Sequence, residues 1–154
     1  MTKPLAVITG ASSGIGEATA KVFSEAGYPT LLLARRIEIM ESFNLKNSIC
    51  KKVDVRDRDA LVAAVREAEA IYGPTDMMFN NAGVARLADI STQDPNEWDE
   101  MIDVNTKGVM NGIYAVMSDM KARKSGTIVN MSSIAGRKVY EDHTVYCLSL
   151  IHIS

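Results

Sequence analysis

The eight residues Thr9-Gly10-Ala11-Ser12-Ser13-Gly14-Ile15-Gly16 are of the types and spacing that bind an anion. They follow a short apolar segment, Leu5-Ala6-Val7-Ile8, and open a stretch with helical periodicity. A strand, a tight glycine turn and a helix start leave backbone N–H groups aimed at one point, with the positive end of the helix dipole behind them. Gly10, Gly14 and Gly16 permit the turn and let a pyrophosphate approach the main chain closely. The spacing is Gly-x-x-x-Gly-x-Gly and not Gly-x-Gly-x-x-Gly, so the turn alone is equally compatible with an ordinary helix N-terminus.

Hydrophobic periodicity predicts the elements that position this turn. Strand one ends near Thr9, and a helix follows with Ile15, Ala18, Val22 and Ala26 on one face, stopping at Gly27. Strand two covers Thr30–Ala34, a short helix runs through Ile37 to Phe43, and strand three covers Ile49 to Val55. The next helix groups Leu61, Val65, Ala68 and Ile71 and ends at Gly73-Pro74, before a fourth strand at Met77–Asn80. Asp94-Pro95-Asn96-Glu97 reads as a helix start, with an N-cap acid, proline at N1 and an acid at N3. Val109, Ile113, Val116 and Met120 share a face of the helix that follows, and strand five is Thr127–Met131. Alternating strands and helices predict an α/β fold with a doubly wound parallel sheet of Rossmann type.

Bulk properties narrow the partners. A chain of 154 residues suits one domain, and 47% hydrophobic residues are enough for a core. A net charge of -2 gives no basic footprint for nucleic acid or an anionic membrane, and no stretch has the length of a transmembrane helix. Cys50 and Cys147 have neither metal-type spacing nor a disulfide framework, and His143 and His152 are too isolated for a metal site. A small-molecule partner, no nucleic acid, no membrane, no metal and a reducing cytoplasm are the expectations.

In a sheet of this type ligands sit at the carboxyl ends of the strands. Gly10–Gly16 follow strand one, Arg35 and Arg36 follow strand two, and Asp54 ends strand three. Asn80-Asn81-Ala82-Gly83 follow strand four, and Ser132-Ser133 follow strand five. Five such breaks along one edge describe a cleft sized for a dinucleotide.

Together these residues resemble the short-chain dehydrogenase/reductase family. The matching motifs are TGASSGIG at 9–16, NNAG at 80–83, Asn105 within DVNTKG, IVNMSSIAG at 128–136, and Tyr146 thirteen positions after Ser133. The resemblance implies hydride transfer between a nicotinamide cofactor and a small alcohol or carbonyl compound, such as a hydroxy acid. It implies that Gly10, Gly14, Ile15 and Gly16 line the pyrophosphate turn, helped by the hydroxyls of Ser12 and Ser13. Asp54 and Val55 would flank the adenine; Asn81, Ala82 and Gly83 would border the adenine-side ribose. Of the catalytic residues, Ser133 would hydrogen-bond the substrate oxygen, Tyr146 would give or take the proton, and Asn105 would hold a water. Ser132 reads as structural. Family members assemble as homodimers or homotetramers, in part through the helix after strand four.

Cofactor choice follows from strand two. A free 2′-hydroxyl is read by an acid there and a 2′-phosphate by arginine. This chain has Ala34 at the acid position, followed by Arg35 and Arg36, so NADP(H) is expected over NAD(H). Solvated surface charge is the alternative for both arginines.

One position departs from the family. Its tyrosine is followed four residues later by lysine, and here that position is Leu150. A free tyrosine titrates near ~10, and leucine cannot lower that value or grip a ribose. The chain is therefore expected to be a poor catalyst, and a non-catalytic NADP(H)-binding module is the rival reading. Chains of this type run to roughly 200–250 residues, so the fold is expected to be truncated after the fifth strand. The segment Leu148–Ser154 is what the transposon-end adapter of sequencing libraries encodes in one frame. Residues 1–147 are accordingly expected to be an incomplete dinucleotide-binding domain and 148–154 a non-native tail, the alternative being a naturally shortened relative.

Overall fold

The computed structural model describes residues 3–151. Residues 152–154 of the expected tail, His152 among them, lie outside this range. Strands β1 (Leu5–Thr9), β2 (Thr30–Ala34), β3 (Ser48–Lys52), β4 (Thr75–Asn80) and β5 (Thr127–Asn130) form one sheet in the order β3-β2-β1-β4-β5. All four pairings are parallel. The chain winds outward from β1 to β3, then returns to place β4 on the other side of β1. This reversal opens a crevice between the carboxyl ends of β1 and β4. The crossovers are α1 (Gly14–Glu25), α2 (Ile37–Ser42), α3 (Arg58–Tyr72), and a long helical run of α4 (Pro95–Met101), a π-helical segment (Ile102–Gly108) and α5 (Val109–Arg123).

Period-two alternation sorts the strand side chains onto two cores. Leu5, Val7, Leu31, Leu33 and Met78 pack with Leu61 and Val65 of α3 and Val116 and Met120 of α5. Ile8, Leu32 and Phe79 point the other way, onto Ala20 of α1 and Met40 of α2. Each fully buried leucine or isoleucine contributes ~1.5–3 kcal/mol. The ion pairs Lys51–Glu67 and Lys21–Glu17 lie on the surface, where such pairs give ~0–1 kcal/mol. Apolar burial on both faces therefore holds the sheet together.

Helix starts follow their chemistry. The Asp94 carboxylate accepts from Asn96 N at 2.9 Å with Pro95 at N1, and Asp57 caps α3 by accepting from Ala60 N at 3.0 Å. Lys51 and Lys52 sit on the edge strand β3.

The structure corrects several expectations. Ile15, Ala18, Val22 and Ala26 are exposed, and α1 buries Gly16 and Ala20 instead. This helix starts so close to the sheet that only small residues fit beneath it, so its large apolar residues mark another face. On α3, Ile71 is exposed and Ala64 takes the inner position. Strand β3 ends at Lys52, because Val53 N already caps the pairing on Ala34 O and the chain then turns through Asp54–Asp57. Strand β4 begins earlier, at Thr75. Beyond β5 the chain folds further, through a 3₁₀ turn (Ile134–Gly136) and α6 (Thr144–Leu150), a helix that periodicity did not indicate. Strand β5 forms the outer edge of the described sheet, with Val129 40% exposed.

Helix α5 crosses β4 at Gly112, where a Cβ would lie 1.9 Å from Asn80 Oδ1 and 2.6 Å from Met78 Cε. Gly112→Ala is expected to destabilise the fold by about 1–3 kcal/mol through overpacking. A lower urea midpoint at unchanged slope is the expected result.

Candidate active site

The crevice is built where β1 and β4 end. Thr9 Oγ1 accepts from Asn81 N at 3.0 Å and from Ala82 N at 3.1 Å, and donates to Phe79 O at 3.4 Å. Asn81 Nδ2 donates in return to Thr9 O and Gly10 O, at 3.1 and 3.3 Å. These bonds stitch the glycine turn to the NNAG segment. Gly10 has φ +64°, and a Cβ there would lie 2.8 Å from Ala82 Cα, so no other residue fits without displacing main chain.

The turn delivers α1 with its first-turn N–H groups open. Ser13 is the N-cap, in extended conformation, and its side chain makes no capping bond. Its hydroxyl and that of Ser12 accept from Arg36 Nη2 at 3.2 Å each. The 12-residue helix therefore presents an uncapped positive end to the crevice. The donor set fits a phosphate or pyrophosphate.

Two clefts meet across this crevice. One, of about 240 Å³, is lined by Gly10, Ser13, Ala34, Arg35, Asp54, Val55, Asn81, Ala82 and Gly83, with Val84 and Val104. The other, of about 320 Å³, is lined by Ile15, Asn81, Ala82, Gly83, Val84, Asn105, Ser132, Tyr146 and Leu150. The shared floor, Asn81–Val84, makes them one elongated groove. The carboxyl ends of the strands thus bring together Gly10, Ser13, Ile15, Arg35, Asp54, Val55, Asn81, Ala82, Gly83, Asn105 and Tyr146. Ser12, Gly14, Gly16, Arg36 and Ser133 stand outside the groove lining. Arg36 braces the turn through the Ser12 and Ser13 hydroxyls. Ser133 Oγ accepts from Ala135 N at 3.2 Å and caps the 3₁₀ turn, while Ser132 faces the groove.

Charge is concentrated at the narrower cleft. Arg56 grips Asp54 with two nitrogens, Nε to Oδ1 at 3.0 Å and Nη2 to Oδ2 at 2.6 Å. This grip holds the Asp54 carboxyl below its usual range, and the Asp54 partner raises Arg56 in turn. Because the folded value is depressed, the pair's small contribution is present above the ordinary carboxylate pKa and is lost as pH falls through the lowered one. Arg35 stands 61% exposed at the cleft rim, and Ala34, at the wall, offers no carboxylate.

Asn105 lies in the π-helical segment, a distortion common at functional sites. Its Oδ1 accepts from Val84 N at 2.8 Å; its Nδ2 donates to Val84 O at 2.8 Å and to Ser149 Oγ at 3.0 Å. Both amide hydrogens are spent, which leaves only the second lone pair of Oδ1 for a further partner. Thr106 Oγ1 donates to Ser149 O at 2.9 Å, so the π segment holds α6 and thereby Tyr146. Sequence reasoning missed the tying roles of Thr9, Val84 and Ser149. Only Thr9 carried a signal, a hydroxyl at the end of an apolar strand.

Comparison with known proteins agrees with this geometry. The family model described as short chain dehydrogenase matches residues 4–149. The chain belongs to the short-chain dehydrogenase family. It is 43% identical over 145 residues to an uncharacterized oxidoreductase of Staphylococcus saprophyticus, covering 92% of this chain and 59% of that protein. The closed form of a serine dehydrogenase complexed with NADP+ superimposes with a TM-score of 0.92 at 29% identity, over 97% of this chain and 62% of that one. A metagenomic short-chain oxidoreductase in complex with NADP gives 0.87 at 33% identity, over 95% and 69%. The chain thus spans about three fifths of the length of the curated Staphylococcus relative, 59%. Short-chain dehydrogenases use nicotinamide cofactors and act on small molecules.

Asn105→Ala removes three hydrogen bonds and strands the Val84 main chain. It is expected to cost about 2–4 kcal/mol of stability. Chemical denaturation without cofactor checks this.

Proposed function

We propose that this chain is the cofactor-binding part of an NADP(H)-dependent oxidoreductase that interconverts a small alcohol and its ketone or aldehyde. The carrying observation is the continuous groove from Arg35 past the uncapped start of α1 to Tyr146. A pyrophosphate at the glycine turn would orient the two nucleoside halves into the two clefts. Arg35, with no carboxylate at Ala34 to repel the ligand, would pair with the 2′-phosphate. A bound nicotinamide supplies or accepts the hydride. The phenol of Tyr146 would donate the proton to the substrate oxygen in reduction and take it back in oxidation. Ser133 stands outside the groove lining, but its Oγ only accepts from Ala135 N, so its own hydrogen would be available to that oxygen, with Ser132 beside it facing the groove. Asn105 keeps the tyrosine helix in register through Ser149. A homodimer or homotetramer of the whole protein belongs to the same reading.

A second reading is favoured by Leu150. Its side chain is buried and lines the cleft beside Tyr146, where a cation would assist the tyrosine. A module that binds NADP(H) without chemistry would keep the cofactor cleft and tolerate this leucine.

Fluorescence titration is expected to give tighter binding of NADPH than of NADH, and Arg35→Ala to weaken NADPH at least tenfold while leaving NADH within about twofold. Tighter binding of NADH would overturn the NADP(H) reading. Leu150→Lys is expected to raise turnover on a panel of small carbonyl compounds by ~10²-fold or more, the scale of positioned acid–base catalysis. NADPH binding without turnover in that variant would favour the module.

A further inference from the structure

Glu100 lies on α4 behind the rim of the smaller cleft, with its side chain only 21% exposed. Its Oε2 accepts from Arg86 Nε at 3.0 Å, which fixes the carboxylate in place. Its Oε1 stands 4.0 Å from Arg35 Nη1. Glu100 also contributes, after Asp54, to the charge field around Arg56. Arg35 also lies in the field of Asp54, and Asp103 adds to that around Arg56; Glu100 is the acid whose carboxylate pairs with Arg35.

We propose that Glu100 is a specificity-determining residue: it competes with the 2′-phosphate of an adenine nucleotide for Arg35 and so limits discrimination against the unphosphorylated nucleotide. The inference rests on the reading of Arg35 given above. A phosphate dianion that approaches Arg35 meets a guanidinium already facing a carboxylate. That carboxylate is held by Arg86 on a half-buried side chain, so it stays beside Arg35 and is only partly screened. A nucleotide without the 2′-phosphate brings no charge to this position and is indifferent to it. Glu100 acts through Arg35, as a positioning and screening residue, and touches no reacting atom.

Calorimetric titration of the full chain with 2′,5′-ADP and with 5′-AMP isolates the 2′-phosphate, because the two ligands differ only there. Glu100→Gln keeps an acceptor for Arg86 and removes the charge. It is expected to raise the affinity ratio of 2′,5′-ADP to 5′-AMP three- to tenfold, with 5′-AMP changed less than twofold. Glu100→Ala moves the ratio the same way. In an Arg35→Ala background, Glu100→Gln is expected to leave the ratio unchanged. An unaltered or lowered ratio in the folded variants, an equal shift for both ligands, or a full effect without Arg35 would each overturn the inference. Arg35→Ala alone tests the underlying reading separately: it lowers the ratio toward one if Arg35 meets the 2′-phosphate and leaves it unchanged if not.

Discussion

The Thr9 hydroxyl joins the ends of β1 and β4, and the groove depends on that joint. The oxygen receives two consecutive main-chain N–H groups, from Asn81 and Ala82, while the Asn81 amide returns bonds to Thr9 O and Gly10 O. Side by side in the sheet, the two strands leave at this point in opposite senses, one into α1 and the other across the crevice floor. Without the reciprocal bonds, the glycine turn and the NNAG segment would be two independent loops. With them, the N-terminus of α1 and the floor of both clefts form one rigid unit, which suits a ligand that spans both.

A second joint orders the far end of the groove. The π-helical segment turns Asn105 toward Val84 on one side and Ser149 on the other, so one amide couples the β4 loop to the tyrosine helix. Asn105 is only 3% exposed, and its bonds are worth most where water cannot replace them. The π segment is thereby tied on both sides, to the β4 loop and to α6. At the opposite end Arg35, Arg56 and Arg86 meet Asp54 and Glu100 around the smaller cleft. The groove thus has a charged end at Arg35 and a hydrogen-bonded end that positions Tyr146.

Much of this was legible in the chain. Alternating apolar runs and glycine stops were enough for a parallel doubly wound sheet, because strands buried on both faces must be apolar throughout and helices between them must be amphipathic. The polar residues at the strand ends were enough to locate the groove edge, since carboxyl termini of parallel strands lie together whatever the loops do. Asp94-Pro95 also announced its helix, because capping is local chemistry.

What the sequence could not determine is everything set by distance across the fold. Periodicity put Ile15 and Val22 inside, whereas the approach of α1 to β1 admits only Gly16 and Ala20. Adjacent serines are indistinguishable by type, and only the 3₁₀ turn separates Ser133, which caps it, from Ser132, which faces the groove. The pairing of Glu100 with Arg35 spans 65 residues of chain, a separation that leaves no periodic trace. The residue types at the strand ends pointed to an anionic ligand by themselves, because those preferences are local. Which atoms are free to meet a ligand was decided by tertiary packing, because hydrogen-bond capacity is spent between elements remote in the chain.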